Sequence, residues 1–194
     1  LRDQVVRNGN PDIVMSKIEK AIQPDTTLIL NANDPITGRI APSNKRVYFG
    51  MDRTPRSTDE CENITHDCKV CPICFNEMNY NYYHYNHLGD FECKNCGYKR
   101  PTPDYFAQNV NFETGEFTIN GINAKVTYTT PFHFFNSTAA TALTVTCGVP
   151  FEKAIASVGN FEVSRERYDE FDVDGRKAIL MLTKQNSDSL DQSI

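Results

Sequence analysis

Tryptophan is missing from this 194-residue sequence, and four further shortages bound what the chain is. Glycine and proline number only ten each while aromatics reach 11%, which excludes a low-complexity or disordered chain. No apolar run approaches the roughly 18 residues of a spanning helix, so no transmembrane segment is expected. An export-type apolar leader is also missing from the N-terminal stretch. Positive charge is scarce: 20 Lys and Arg against 25 Asp and Glu leave −5, the wrong balance for a general nucleic-acid coat. The length suits one domain, or one with a small appendage. It starts at Leu1 rather than at a methionine, so a piece of a longer protein is expected.

Cysteine, by contrast, is plentiful and clustered. Six of the seven lie between Cys61 and Cys96, and two pairs repeat one pattern: Cys71-Pro72-Ile73-Cys74 and Cys93-Lys94-Asn95-Cys96. Their separation lies in the window of a four-thiolate zinc site. Two thiolates three positions apart in a tight turn can face one ion about 2.3 Å away, and two such turns complete a tetrahedron. Gly97 supplies the positive φ that a knuckle needs. The expected ligands are Cys71, Cys74, Cys93 and Cys96, holding a structural Zn²⁺. Cys68 and Cys71 are also a two-spaced pair, so Cys68 could replace Cys74; Pro72, which pre-shapes a turn, favours Cys74. Disulfides are the weaker reading without an export signal. Cys61 and Cys68 then read as free thiols on an approach loop, and His84 and His87 as surface histidines.

Between the knuckles, Tyr80, Tyr82, Tyr83, Tyr85 and Phe91 are strand formers around an expected turn at Leu88-Gly89-Asp90. From Lys69 to Arg100 there are four basic and three acidic residues. A Zn²⁺ with four thiolates contributes about −2 more and leaves the module near −1. Nucleic-acid binding is disfavoured on that count, and a structural staple favoured.

The flanks read as α/β. Pro11 starts a helix with Ile13, Val14, Ile18, Ala21 and Ile22 as its apolar stripe and Lys17 exposed. Strands follow at Thr26 to Leu30 and at Arg46 to Phe49. The first runs into Asn31-Ala32-Asn33-Asp34-Pro35 at the strand end where α/β sheets bind ligands. Beyond the ribbon, Tyr105 to Phe112, Glu116 to Ile119 and Ala124 to Tyr128 suggest antiparallel strands with turns at Thr114-Gly115 and Asn120-Gly121. A helix from Phe132 to Cys147 carries Ala139, Ala140, Leu143 and a buried Cys147 at helical spacing. Gly148 closes it before a helix from Phe151 to Val158. A hairpin turning at Asp174-Gly175 ends the pattern.

Several stretches together resemble a known family: Arg2-Asp3-Gln4-Val5-Val6-Arg7-Asn8-Gly9, the Leu30-to-Pro35 turn and the four-cysteine insertion. The helix start Phe134-Phe135-Asn136-Ser137-Thr138-Ala139-Ala140 follows, then Glu166-Arg167-Tyr168-Asp169 running into Asp172-Val173-Asp174-Gly175. Their order is similar to that of MurT, the Mur-ligase-like subunits of bacterial lipid II isoglutaminyl synthases. The resemblance implies an α/β fold: a partial Mur-ligase-type central domain with an inserted four-cysteine zinc ribbon and the first strands of a C-terminal domain. The implied divisions are 1–60, 61–102 for the ribbon, 103–164, and 165–194. It further implies a cytoplasmic partnership with a GatD-like glutamine amidotransferase. In that partnership ATP and Mg²⁺ activate the D-glutamate carboxylate of the lipid II stem peptide for amidation by ammonia. By the family pattern Asn136 sits at the adenine, Arg167 contacts the nucleotide from a hinge, and Asp34 lines the cleft. Read without the family, Asn136 is a helix cap and Arg167 a surface arginine.

The departures are specific. The family's Gly-rich P-loop is missing, so this piece alone is expected to be inactive. Val6, His133, Glu166, Asp169 and Gln185 stand where the family carries other residues. The alternative is a non-catalytic zinc-ribbon scaffold or interaction protein derived from a Mur ligase.

Overall fold

The computed structural model describes residues 11–63, 66–161 and 168–181. Three parallel strands, β1 (Leu28–Asn31), β2 (Arg46–Met51) and β5 (Tyr105–Gln108), lead into an antiparallel meander, β6 (Glu116–Ile119) and β7 (Ile122–Lys125), in the order β1-β2-β5-β6-β7. A β3–β4 hairpin (Asn79–Tyr85, Leu88–Glu92) lies between β2 and β5 in sequence. Parallel neighbours need a long crossover, usually a helix. Here the cysteine-bearing ribbon takes that place. Helices α1 (Pro11–Ala21), α2 (Pro131–Thr146) and α3 (Phe151–Gly159) complete the mixed α/β fold, and β8 (Tyr168–Val173) with β9 (Arg176–Met181) forms a separate two-stranded sheet.

The main core lies between the sheet and α2. Phe134 is fully buried with Phe112 and Phe117 edge-on at 5.3 and 5.2 Å, beside Met51, Ile119 and Ile155. The expected alanine stripe of α2 is not the buried face: Leu143 is about half exposed and Cys147 is exposed, while Thr138 and Thr141 are fully buried. Each threonine hydroxyl donates to the carbonyl four residues back, Thr138 to Phe134 at 2.8 Å and Thr141 to Ser137 at 2.9 Å. A hydroxyl so satisfied is buried at little cost.

Other boundaries move for local reasons. The strand expected to reach Phe112 stops at Gln108, because Asn109 turns to φ 52°. The Asn120-Gly121 and Asp174-Gly175 turns form as expected, with both residues of each at positive φ. The ribbon hairpin turns at Asn86-His87 instead of Leu88-Gly89-Asp90. Asn86 takes the left-handed conformation (φ 48°), and Gly89 stays in β4, where a Cβ would sit 2.1 Å from the Tyr82 carbonyl oxygen. On α1 the buried residue is Met15, and Ile13 and Ile18 of the expected stripe are exposed among the described residues.

Candidate metal centre

The two knuckles repeat each other bond for bond. Cys71 N–H donates to the Asn76 carbonyl and Cys93 N–H to the Tyr98 carbonyl, both at 2.7 Å. Phe75 N–H returns to Cys71 and Gly97 N–H to Cys93, both at 2.9 Å. Isolated bridges, Val70 to Glu77 and Glu92 to Lys99, close the bases of the two turns. This common backbone brings the sulfurs of Cys71, Cys74, Cys93 and Cys96 within 4.8 Å of one another. Cys71 and Cys93 are fully buried and Cys96 is exposed.

The donor set fits a tetrahedral ion. Two sulfur–sulfur edges, Cys71 to Cys96 and Cys74 to Cys93, measure 3.6 and 3.5 Å. A tetrahedron with metal–sulfur bonds of about 2.3 Å has edges of about 3.8 Å, while a disulfide needs about 2.05 Å. All four cysteines are free. Protein donors already face the sulfurs: Ile73 N–H reaches Cys71 Sγ at 3.4 Å and the Asn76 amide reaches Cys74 Sγ at 3.7 Å. The Asn76 backbone N–H, aided by the Asn95 side chain, pulls the Cys74 thiol down to about 6. Cys68 is not in the group. It is buried with its thiol on the Val70 carbonyl at 3.3 Å, and burial pushes it up to about 12. Such a centre supplies a crosslink between two turns that share a small core of Met78 and Phe91.

The ribbon is clamped to the C-terminal ends of β1 and β2. Asn33, fully buried, accepts from Met51 N–H at 2.9 Å and donates to the carbonyls of Met51 (3.1 Å) and Gly89 (3.2 Å). His84 is also buried. Its Nε2 lies 3.1 Å from the Met51 carbonyl, which can only accept, so Nε2 carries the proton and Nδ1 accepts from the Ser57 hydroxyl at 3.0 Å. Burial pushes its pKa down to about 3. His87 Nε2 stands 3.2 Å from Asp34 Oδ1, and its Nδ1 stands 3.8 Å from Asp67. Burial alone would raise the Asp34 carboxyl. His87, the Thr37 hydroxyl and the Ile36 N–H outweigh that and hold it below its ordinary value.

These contacts correct the reading of His84 and His87 as surface residues. Inward alternation along β3, where Tyr82 and His84 are both buried, was the available signal. Tyr98, whose hydroxyl donates to the Pro35 carbonyl at 2.8 Å, gave no sequence signal, and Asn33 stood out only as one residue of the strand-end turn. Asp34 lies at the strand end as expected, with its carboxylate engaged. Asn136 is exposed on α2 and does not cap it, since the cap residue is Thr130. Arg167 lies outside the described residues, as do residues 1–10, Glu166 and Gln185.

This mixed sheet, which carries a four-cysteine ribbon in the crossover from β2 to β5, has a Mur-ligase-like fold. It is similar to the structure of a pseudomurein peptide ligase type C from Methanothermus fervidus, with TM-score 0.65 and 25% identity over 81% of this chain and 32% of that one. The chain is a distant homologue of MurT. It is 27% identical over 188 residues to the subunit MurT of lipid II isoglutaminyl synthase (glutamine-hydrolyzing) of Staphylococcus aureus (strain COL), and 26% identical over 195 residues to that of Streptococcus pneumoniae (strain ATCC BAA-255 / R6). Each match covers 94% of this chain and 42% of the relative, so the chain spans less than half the length of these curated relatives. No protein-family model matches. No helix among the described residues is long and apolar enough to cross a membrane.

Proposed function

We propose that the chain is the ribbon-bearing central part of an ATP-dependent carbon–nitrogen ligase of the lipid II isoglutaminyl synthase kind. It acts with a GatD-like glutamine amidotransferase on the stem-peptide D-glutamate of lipid II, in the cytoplasm. The observation that carries this reading is the MurT match along 94% of the chain. A carboxylate is a poor electrophile until phosphorylated, which is the role of ATP and Mg²⁺ in the longer parent. Zn²⁺ on Cys71, Cys74, Cys93 and Cys96 is structural. Asp34 lines the cleft at the strand ends, Asn136 offers an exposed carboxamide to the adenine, and Arg167 contacts the nucleotide. The domain divisions follow the same reading, with the ribbon at 61–102 inserted into a central domain. This chain alone does not ligate.

One observation favours the scaffold reading. His133, where the family carries an asparagine, has its Nδ1 2.7 Å from the Thr130 hydroxyl and its ring against Phe132 and Tyr128, so it offers a nucleotide no free amide. Glutamine-dependent amidation by the parent, assayed with its amidotransferase partner, separates the two. The ligase reading expects ATP-dependent amidation, with Asn136→Ala raising the KM for ATP about tenfold, the worth of one hydrogen bond. A parent that neither binds ATP nor amidates is a scaffold.

A further inference from the structure

The segment after β1 is held by the ribbon, residue by residue. Gly89 N–H donates to the Asn33 carbonyl at 3.0 Å, His87 stands on the Asp34 carboxylate at 3.2 Å, and the Tyr98 hydroxyl binds the Pro35 carbonyl at 2.8 Å. Ile36 packs into the ribbon's own core with Cys71, Phe91 and Cys93. A Cβ on Gly38 would stand 3.0 Å from the Tyr98 oxygen. On the sheet side, Arg46 reaches the carbonyls of Gly38 and Ile40, and among the described residues the polar contacts that tie Asp34 and Pro35 to groups outside their own turn come from the ribbon.

Tyr98 is in turn tied to the second cysteine turn, and β4 joins that turn to the hairpin loop that carries His87. The Tyr98 carbonyl accepts from Cys93 N–H, and its ring lies 5.3 Å from that of Phe91, two residues before Cys93. Phe91 and Gly89 belong to β4, which runs straight into the second knuckle. We infer that the ribbon metal is a positioning device for the ligand end of the sheet. By fixing the second knuckle it places Tyr98 and His87, and these two positioning residues set the 33–38 turn and with it Asp34. The consequence for ligation rests on the proposed role of Asp34 in the cleft; the structural coupling does not.

Amide hydrogen exchange on the full 194-residue chain tests the coupling without ATP or substrate. The reporters are Ile36 and Gly38, whose N–H groups bond to Asp34 at 2.8 and 3.0 Å. Chelating the metal is expected to speed their exchange at least about tenfold while α2 amides keep their protection. With Co²⁺ bound and its thiolate absorption unchanged, Tyr98→Phe and His87→Gln are each expected to speed the same reporters about threefold or more. Reporters unmoved by chelation, or unmoved in both variants with the metal in place, overturn the inference. If chelation melts α2 as well, the two metal-loaded variants decide it. A parent without amidation activity removes the ligase reading and leaves the exchange result standing.

Discussion

Phe75 and Gly97 occupy the same step of the two knuckles, and both are left-handed, at φ 61° and 74°. Glycine meets no Cβ penalty there; an L-residue is strained by about 1–2 kcal/mol. The Phe75 side chain recovers little of this, being 80% exposed. Phe75→Gly should therefore stabilise the zinc-loaded chain by about 1 kcal/mol, after the added chain entropy of glycine is subtracted. Gly97→Ala should destabilise it by a similar amount. Denaturant midpoints of the two variants check the pair, and opposite signs are the expected result.

Metal content should follow the sulfur geometry. The four-ligand rule predicts about one zinc per chain, read by native mass spectrometry. Cys93→Ser should lose it and take with it the packing of Met78 and Phe91 on Cys71. Cys68→Ser should retain it, because that thiol is bonded to the Val70 carbonyl and stands outside the cluster. Zinc lost from Cys68→Ser but kept in Cys74→Ser would reverse the choice of first pair.

The sequence made some of this legible and hid the rest for physical reasons. Knuckles and primed turns are local devices: the spacing of Cys71 and Cys74, or the pair Asn120-Gly121, encodes its own backbone. The buried threonine face of α2 is invisible to hydropathy, since Thr138 and Thr141 become apolar only once their hydroxyls are tied to the preceding turn. The strand-end network is less readable still. Asn33 meets Gly89 across 56 positions of chain and His84 across 51, so its burial is a property of ribbon docking and not of any segment.

Acid should weaken the fold early, through His84. Its folded pKa of about 3 lies below the ordinary value of 6.5. As pH falls through about 6.5 the unfolded chain binds a proton that the folded chain refuses, so stability drops by up to about 1.4 kcal/mol per unit until about pH 3. Burial also lowers His66 and His133, which add in the same direction. Asp34, held below its ordinary 3.8, contributes stability that is present above that value and lost only as pH falls through its folded pKa. Urea titrations at about pH 7 and about pH 5 should show the loss, and His84→Gln should reduce the slope between them. An unchanged slope in that variant would mean that His84 already takes up its proton in the folded state.

Asn33 and Gly50 should be energetically coupled. A Cβ on Gly50 would stand 2.7 Å from Asn33 Oδ1 and 3.0 Å from Pro103 Cγ, so Gly50→Ala pushes directly on the amide that joins the sheet to the ribbon. Overpacking of this kind costs about 1–3 kcal/mol. Asn33→Ala strips the Met51 N–H of its acceptor and the Gly89 carbonyl of a donor, at about 3 kcal/mol by the cost of buried unpaired groups. The Met51 carbonyl keeps His84 and Arg100 as donors and adds little to that loss. In the double variant the amide is gone, so the added methyl has room on one side and only Pro103 to displace on the other. The combined loss should then fall short of the sum of the singles by about 1 kcal/mol. Additive losses would mean that the Gly50 methyl is resisted by Pro103 alone, and that the tight approach to Asn33 is not what requires glycine at this position.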